Sequence, residues 1–177
     1  VIIHAATVHQ FSRKPPRSID YITSNIQSTA YIAEFAQSCC LKLFVYLSSI
    51  SVHGKITTPV LSETVPSSQP DLYGVSKYTS ECILERHKHI FPTVVLRLPG
   101  LVGPKCGGIR PWLATVLQKA LNNQPISIFN KDKLFNNVTD VFDLGRVISV
   151  LINQRFSGFE VFNLATLNPL PLSEIVE

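Results

Sequence analysis

Residues 42–49 read KLFVYLSS, and this stretch decides the fold. Five apolar residues run without interruption from Leu43 to Leu47 and end in two hydroxyl residues. The run is too short for a helix and rich in aromatic and branched side chains, so it reads as a strand buried on both faces. Such a strand needs helices above and below it, which is the arrangement of a parallel sheet. Working outward, VIIHAA at 1–6, TVVLRL at 93–98 and EVFNLA at 160–165 have the same character. The segments between them have helical periodicity instead. Over 18–36, Ile22, Ile26, Ala30, Ala33 and Ala36 recur every three or four residues and mark one face. After a loop rich in Pro, Ser and Thr at 55–70, Asp71 can cap a helix running through Tyr73, Lys77, Cys82 and Leu84 to about Lys88. Alternating strands and helices predict an α/β fold built on a doubly wound parallel sheet.

Beyond Gly103 the pattern loosens. A helix is expected near 112–121, then PISIF (125–129), an extended VTDVF (138–142) and a helix at 143–152. LSEIVE (172–177) starts another helix with Ser173 as its cap. Residues 1–103 are expected to form the later part of a partial Rossmann-like domain that includes the catalytic residues. Residues 104–177 form a small C-terminal substrate-binding lobe interleaved with the last elements of that domain.

Composition excludes several classes. With 177 residues, 45% hydrophobic and 16% charged, the chain can bury one sizeable core and is not disordered. Sixteen Lys and Arg against 12 Asp and Glu leave +4 with no long basic block, so neither nucleic acid nor a membrane surface is an expected partner. No apolar run approaches 18 residues and no basic segment precedes the first strand, which argues against a membrane span or signal peptide and for a cytoplasmic protein. Cysteines at 39, 40, 82 and 106 lack CxxC spacing. They are expected to be buried, reduced thiols, and no metal site is expected. The chain opens inside an apolar run and contains no Met, as an excerpt of a longer protein would.

Tyr73 and Lys77 stand four apart on a predicted helix and share a face, an arrangement suited to a coupled acid and base. Ser48 and Ser49 end the strand at 42–49, and ligands of parallel sheets bind at the carboxyl ends of strands. SSISVHG followed by YGVSK is much rarer than either part alone.

Here the sequence resembles the extended short-chain dehydrogenases/reductases, the NAD-dependent epimerase/dehydratase group that acts largely on nucleotide sugars. The resemblance rests on VIIHAA, on Asn25 with Thr29, on FVYLSSISVHG, YGVSK, VVLRLPGLVGP and VTDVFDLG. It implies Tyr73 as acid/base, Lys77 as the group that holds the nicotinamide ribose and lowers the Tyr73 pKa, and Ser49 as hydrogen-bond partner of the reacting oxygen. It places His4, Ala5, Ala6, Ser48, Tyr73, Lys77 and Pro99 along an NAD or NADP cofactor. Ser49, Ser51, Gly100, Lys105, Arg110 and Asn136 fall along the substrate. His4 has two readings, wall residue or catalyst, and Asn25 likewise, packing residue or relay. The implied activity is an NAD(P)-dependent epimerase of a nucleotide sugar. The alternatives are an NAD(P)H-dependent ketone or 4-keto-sugar reductase, or a non-catalytic dinucleotide-sensing module. Ile50 and Ser51 stand where the family's dehydratases place Asp and Glu, which argues against elimination. Gly100 and Asn136 stand where its epimerases often carry Asn and Arg, leaving Lys105 or Arg110 to meet a diphosphate.

Gly100, Gly103, Gly107 and Gly108 do not have the GxxGxxG spacing of a phosphate-binding turn. The main cofactor loop is therefore expected upstream of Val1, and the 177-residue piece is expected to bind no NAD and to be inactive alone. The resemblance also implies a homodimer when complete, formed through helices 18–37 and 71–88 with Tyr31 and Ile83 exposed.

Overall fold

The computed structural model describes residues 1–9, 14–103 and 111–176. Along the chain run β1 (Ile2–His4), α1 (Ser18–Tyr21), a π-helical segment (Ile22–Gln27), α2 (Ser28–Gln37), β2 (Phe44–Ser49), a 3₁₀ turn (Ile50–His53) and α3 (Leu72–Glu85). There follow β3 (Thr93–Leu98), β4 (Gly100–Val102), α4 (Pro111–Leu121), β5 (Leu134–Phe135), β6 (Val138–Asp140), α5 (Val141–Asn153), β7 (Phe159–Asn163), β8 (Leu170–Pro171) and α6 (Leu172–Val176). They divide into two compact units, Val1–Leu98 with Gly145–Leu164, and Pro99–Leu144 with Ala165–Glu177.

The first unit is an α/β sheet of Rossmann type, with four parallel strands in the order β1-β2-β3-β7. Tyr46 lies opposite His4 on one side and Val95 on the other, and Ser48 lies opposite Arg97. Ala33, Ala36, Phe44, Tyr46, Leu84, Phe91 and Val95 form the core, with Phe44 and Phe91 stacked at 5.7 Å. Burial of these large side chains is the main favourable term in forming the sheet.

Several expectations need correction. The first strand is three residues long, and Ala5 and Ala6 lie beyond it, exposed. The helix over 18–36 does not bury Ile22 and Ile26. Its buried stripe is Tyr21, Asn25, Thr29, Ala33 and Ala36, because the π-helical segment turns the face and the neighbouring surface is polar there. Tyr31 is exposed as expected, but Ile83 packs against the core. Of the described cysteines, Cys40 and Cys82 are exposed rather than buried, and all three are free; Cys106 lies outside the described residues.

In the second unit the segment expected as loop after Leu98 forms β4, which pairs in parallel with β6, while β5 pairs with β8 antiparallel. PISIF joins no ladder. Leu144 is the one buried hydrophobic residue among the described residues of this unit. No helix among the described residues is long and apolar enough to cross a membrane.

Candidate active site

The site begins at a helix start. Asp71 Oδ1 accepts the Gly74 amide at 2.7 Å and fixes the first turn of α3. Position 74 must be glycine, because a Cβ there would lie 2.2 Å from the Ser51 carbonyl oxygen. This close approach brings α3 against the 3₁₀ turn that follows β2. Within that turn the Ser51 amide donates to Ser49 Oγ at 3.1 Å. One lone pair of Ser49 Oγ is thus engaged and its proton is left to donate. Ser49 and Tyr73 are both buried, and the Ser49 and Thr7 side chains lie near enough to the Tyr73 hydroxyl to act on its ionisation.

Burial is the first influence on that hydroxyl and pushes its pKa above the ordinary phenol value; the bonds from Ser49 and Thr7 pull the other way. The expectation that Lys77 lowers it is not met: Lys77 is not among the groups acting on that hydroxyl. Lys77 Nζ instead lies over the ring of Tyr46, 4.3 Å from its centroid. Desolvation lowers the Lys77 pKa to about 8, with Glu81 opposing.

Asn25, on the π-helical segment, fastens the chain after β1. Its Oδ1 accepts from the Val8 amide at 2.7 Å and from Thr7 Oγ1 at 3.1 Å. Its Nδ2 donates to Val8 O at 3.1 Å and to Ser76 Oγ at 2.9 Å. With every polar valence of its side chain used, Asn25 fastens Thr7, which acts on the Tyr73 hydroxyl. The same stretch places His9 edge-on to the Tyr73 ring at 4.4 Å. His4 Nε2 meets Thr29 Oγ1 at 2.9 Å, and Thr29 donates its own proton to Asn25 O at 2.6 Å, so Nε2 carries the proton of a neutral ring. Burial, helped by Lys77, lowers the His4 pKa to about 4. These contacts fit the reading of His4 as a wall residue.

Behind the hydroxyl pair lies a charge network. Glu81 accepts from Ser48 Oγ and holds Arg97 through Nε at 3.2 Å and Nη2 at 2.8 Å. Arg97 Nη1 also donates to the Glu63 carbonyl at 3.0 Å and meets His53 Nε2 at 3.2 Å. Ser48 is thus tied into the frame of the site. Sequence reading passed over Glu81 and Arg97, although a charged residue four after Lys77 and another inside TVVLRL were visible signals. Thr7, His9 and Tyr46 carried no such signal.

Other candidates belong to the second unit or to residues that are not described. Pro99, Gly100 and Asn136 belong to the second unit, where the Asn136 carbonyl accepts from the Val138 and Thr166 amides at 2.8 and 3.0 Å. Lys105 and Arg110 lie outside the described residues. The second unit has its own cavity of about 510 Å³, walled by Trp112, Val116, Ile128, Phe135 and Leu172, with Lys119 and Lys133 among its lining. Trp112 and Phe135 meet edge to face at 5.2 Å. Sequence reading did not find this cavity. Among the described residues no cluster of His, Cys, Asp and Glu could hold a metal ion.

A buried lysine whose ammonium is disfavoured by desolvation suits a ligand that brings oxygen acceptors, and a ribose diol is of that kind. The nicotinamide end of a dinucleotide therefore fits Tyr73 and Lys77, whereas the sequence holds no glycine turn for its pyrophosphate.

A model of the NAD dependent epimerase/dehydratase family matches residues 1–165. Protein CapI of Staphylococcus aureus is 28% identical over 188 residues, 95% of this chain and 55% of the relative. The uncharacterized UDP-glucose epimerase YtcB of Bacillus subtilis (strain 168) is 28% identical over 148 residues, covering 81% of this chain and 46% of the relative. Among solved structures, the UDP-glucuronic acid 4-epimerase from Bacillus cereus in complex with NAD aligns with a TM-score of 0.78 at 23% identity. The alignment covers 99% of this chain and 57% of that one. The chain spans about half the length of the curated relatives it matches.

Proposed function

Because the chain belongs to the NAD dependent epimerase/dehydratase family, we propose that it carries the acid/base centre of an NAD(P)-dependent epimerase of a nucleotide sugar. The observation behind this reading is that Ser49, at the carboxyl end of β2, lies close enough to the buried Tyr73 hydroxyl to act on its ionisation, with Lys77 one helical turn farther along α3. The Tyr73 phenolate would accept the proton of a sugar hydroxyl as that carbon is oxidised, and the phenol would return it on reduction. Ser49, its oxygen already fed by the Ser51 amide, would donate to the reacting oxygen. Lys77 would give its ammonium protons to the ribose hydroxyls. A bound nicotinamide would supply the hydride acceptor and donor for both halves of the cycle.

The raised Tyr73 pKa is consistent with a resting phenol whose ionisation awaits a nearby positive charge. An acid/base pair for dehydration is absent from the turn, where Ile50 and Ser51 follow Ser49. For the substrate's nucleotide, the cavity of the second unit offers flat apolar walls and two amines. Sugar nucleotides are named for YtcB and for the Bacillus cereus enzyme, which makes UDP-glucose and UDP-glucuronic acid the first substrates to try.

The test is turnover of the natural full-length protein on those two compounds with NAD, followed by proton NMR of the sugar. Conversion to the C4 epimer is expected, and Tyr73→Phe is expected to lower kcat by about 10³-fold or more while cofactor still binds. Unchanged turnover in that variant overturns the acid/base assignment. A net oxidised or reduced product points to the reductase, and cofactor binding with no turnover of any kind to a sensing module; either overturns the epimerase reading.

A further inference from the structure

Lys77 is 1% exposed, and an ammonium removed from water needs groups that replace its hydration. The carboxylate one turn along α3, Glu81, is already engaged. Both its oxygens accept from Arg97, and Oε1 also takes the Ser48 hydroxyl. Glu81 therefore supports Lys77 through its field while its lone pairs are spent elsewhere. What lies directly against the ammonium is an aromatic face. Nζ sits 4.3 Å from the Tyr46 ring centroid, and Tyr46 is itself buried in the middle of β2. The His4 ring packs on the same tyrosine at 5.4 Å and is kept neutral, so no second cation competes for the ring. A cation within about 6 Å of a desolvated ring is in the range where its attraction to the ring's negative face is largest.

We propose that Tyr46 is a positioning residue of this site, its ring face seating the Lys77 ammonium between β2 and α3. The inference rests on the reading of Lys77 as a cofactor-holding group. A lysine has four side-chain rotors, and a seat that orders them beforehand spares the cofactor that ordering. The tyrosine touches no reacting atom; it acts through Lys77.

The test follows the Lys77 side chain itself in the cofactor-free protein, by NMR titration of labelled lysine with the resonance assigned from its loss in Lys77→Arg. The wild-type midpoint is expected at about 8, and Tyr46→Phe, which keeps the ring, should stay close to it. Tyr46→Leu should lower it by about 0.5 to 1.5 pH units. Should the leucine variant fail to fold, a series of progressively fluorinated phenylalanines at 46 keeps the shape while draining the ring's negative face, and should lower the midpoint stepwise. A midpoint that stays level or rises across that series overturns the proposal. This readout needs no turnover, so a level series leaves the Tyr73 assignment standing, and an active Tyr73→Phe variant leaves the seat of Lys77 standing.

Discussion

The first unit hides its polar groups and the second displays its apolar ones. Asn25, Ser48, Ser49, His53, Tyr73, Lys77, Glu81 and Arg97 are all buried, and each is held by a named partner or ring. In the second unit Phe129 is 84% exposed and Leu134 60%, both in the lining of its cavity. Burial strengthens electrostatics and makes every unpaired group costly, so the first unit's chemistry is tuned by its own packing. The described residues of the second unit offer instead a cavity lined mostly by apolar side chains. All five histidines of the chain fall in the first unit.

The contrast can be broken by experiment, most sharply at Arg97. Arg97→Met strands Glu81 as a buried, uncompensated carboxylate and should cost about 3–5 kcal/mol by urea unfolding. Lys119→Met in the second unit's cavity wall should change stability by less than about 0.5 kcal/mol. Equal effects would erase the distinction.

Gly74→Ala comes next. The added methyl meets the Ser51 carbonyl, a backbone atom that cannot step aside, so a loss of about 1–3 kcal/mol is expected. Turnover of the full-length protein should fall with it, because the same shift parts Ser49 from Tyr73. A variant as stable and active as the parent would show that this contact does not position the site.

A pH series sharpens the comparison further. His4 takes a proton at about 6.5 when unfolded but only at about 4 when folded. Between those values the unfolded chain binds more protons, so stability falls as pH drops from about 6.5 to about 4. His4→Gln should make that limb shallower, and an unchanged limb would remove His4 from the account. Within the first unit the smallest of these effects is expected at Asp71. Asp71→Ala removes the cap on Gly74 and should cost about 1 kcal/mol by thermal unfolding.

The strands at 42–49 and 93–98 were legible because residues buried on both faces leave uninterrupted apolar runs. Tyr73 and Lys77 were legible because a four-residue spacing places two side chains on one face of any helix. The stripe of α1 and α2 was not, since a π-helical segment breaks the period that reading assumes. Nor were β4, β5 and β8, which are two or three residues long and too short for any pattern, although the extended piece expected at 138–142 does hold β6.

By itself, then, the sequence determined the parallel sheet, the family motifs and the identity of the acid/base candidates, because those depend on local periodicity and residue type. Only the tertiary structure decided that Lys77 faces Tyr46, that Asn25 fastens Thr7 beside Tyr73, and that Arg97 and Glu81 tie Ser48 into the frame. Those partners lie 16 to 33 residues apart in the chain, Asn25 and Thr7 18 apart among them. No local pattern marks such a pair until the folded sheet and its helices bring the two side chains together.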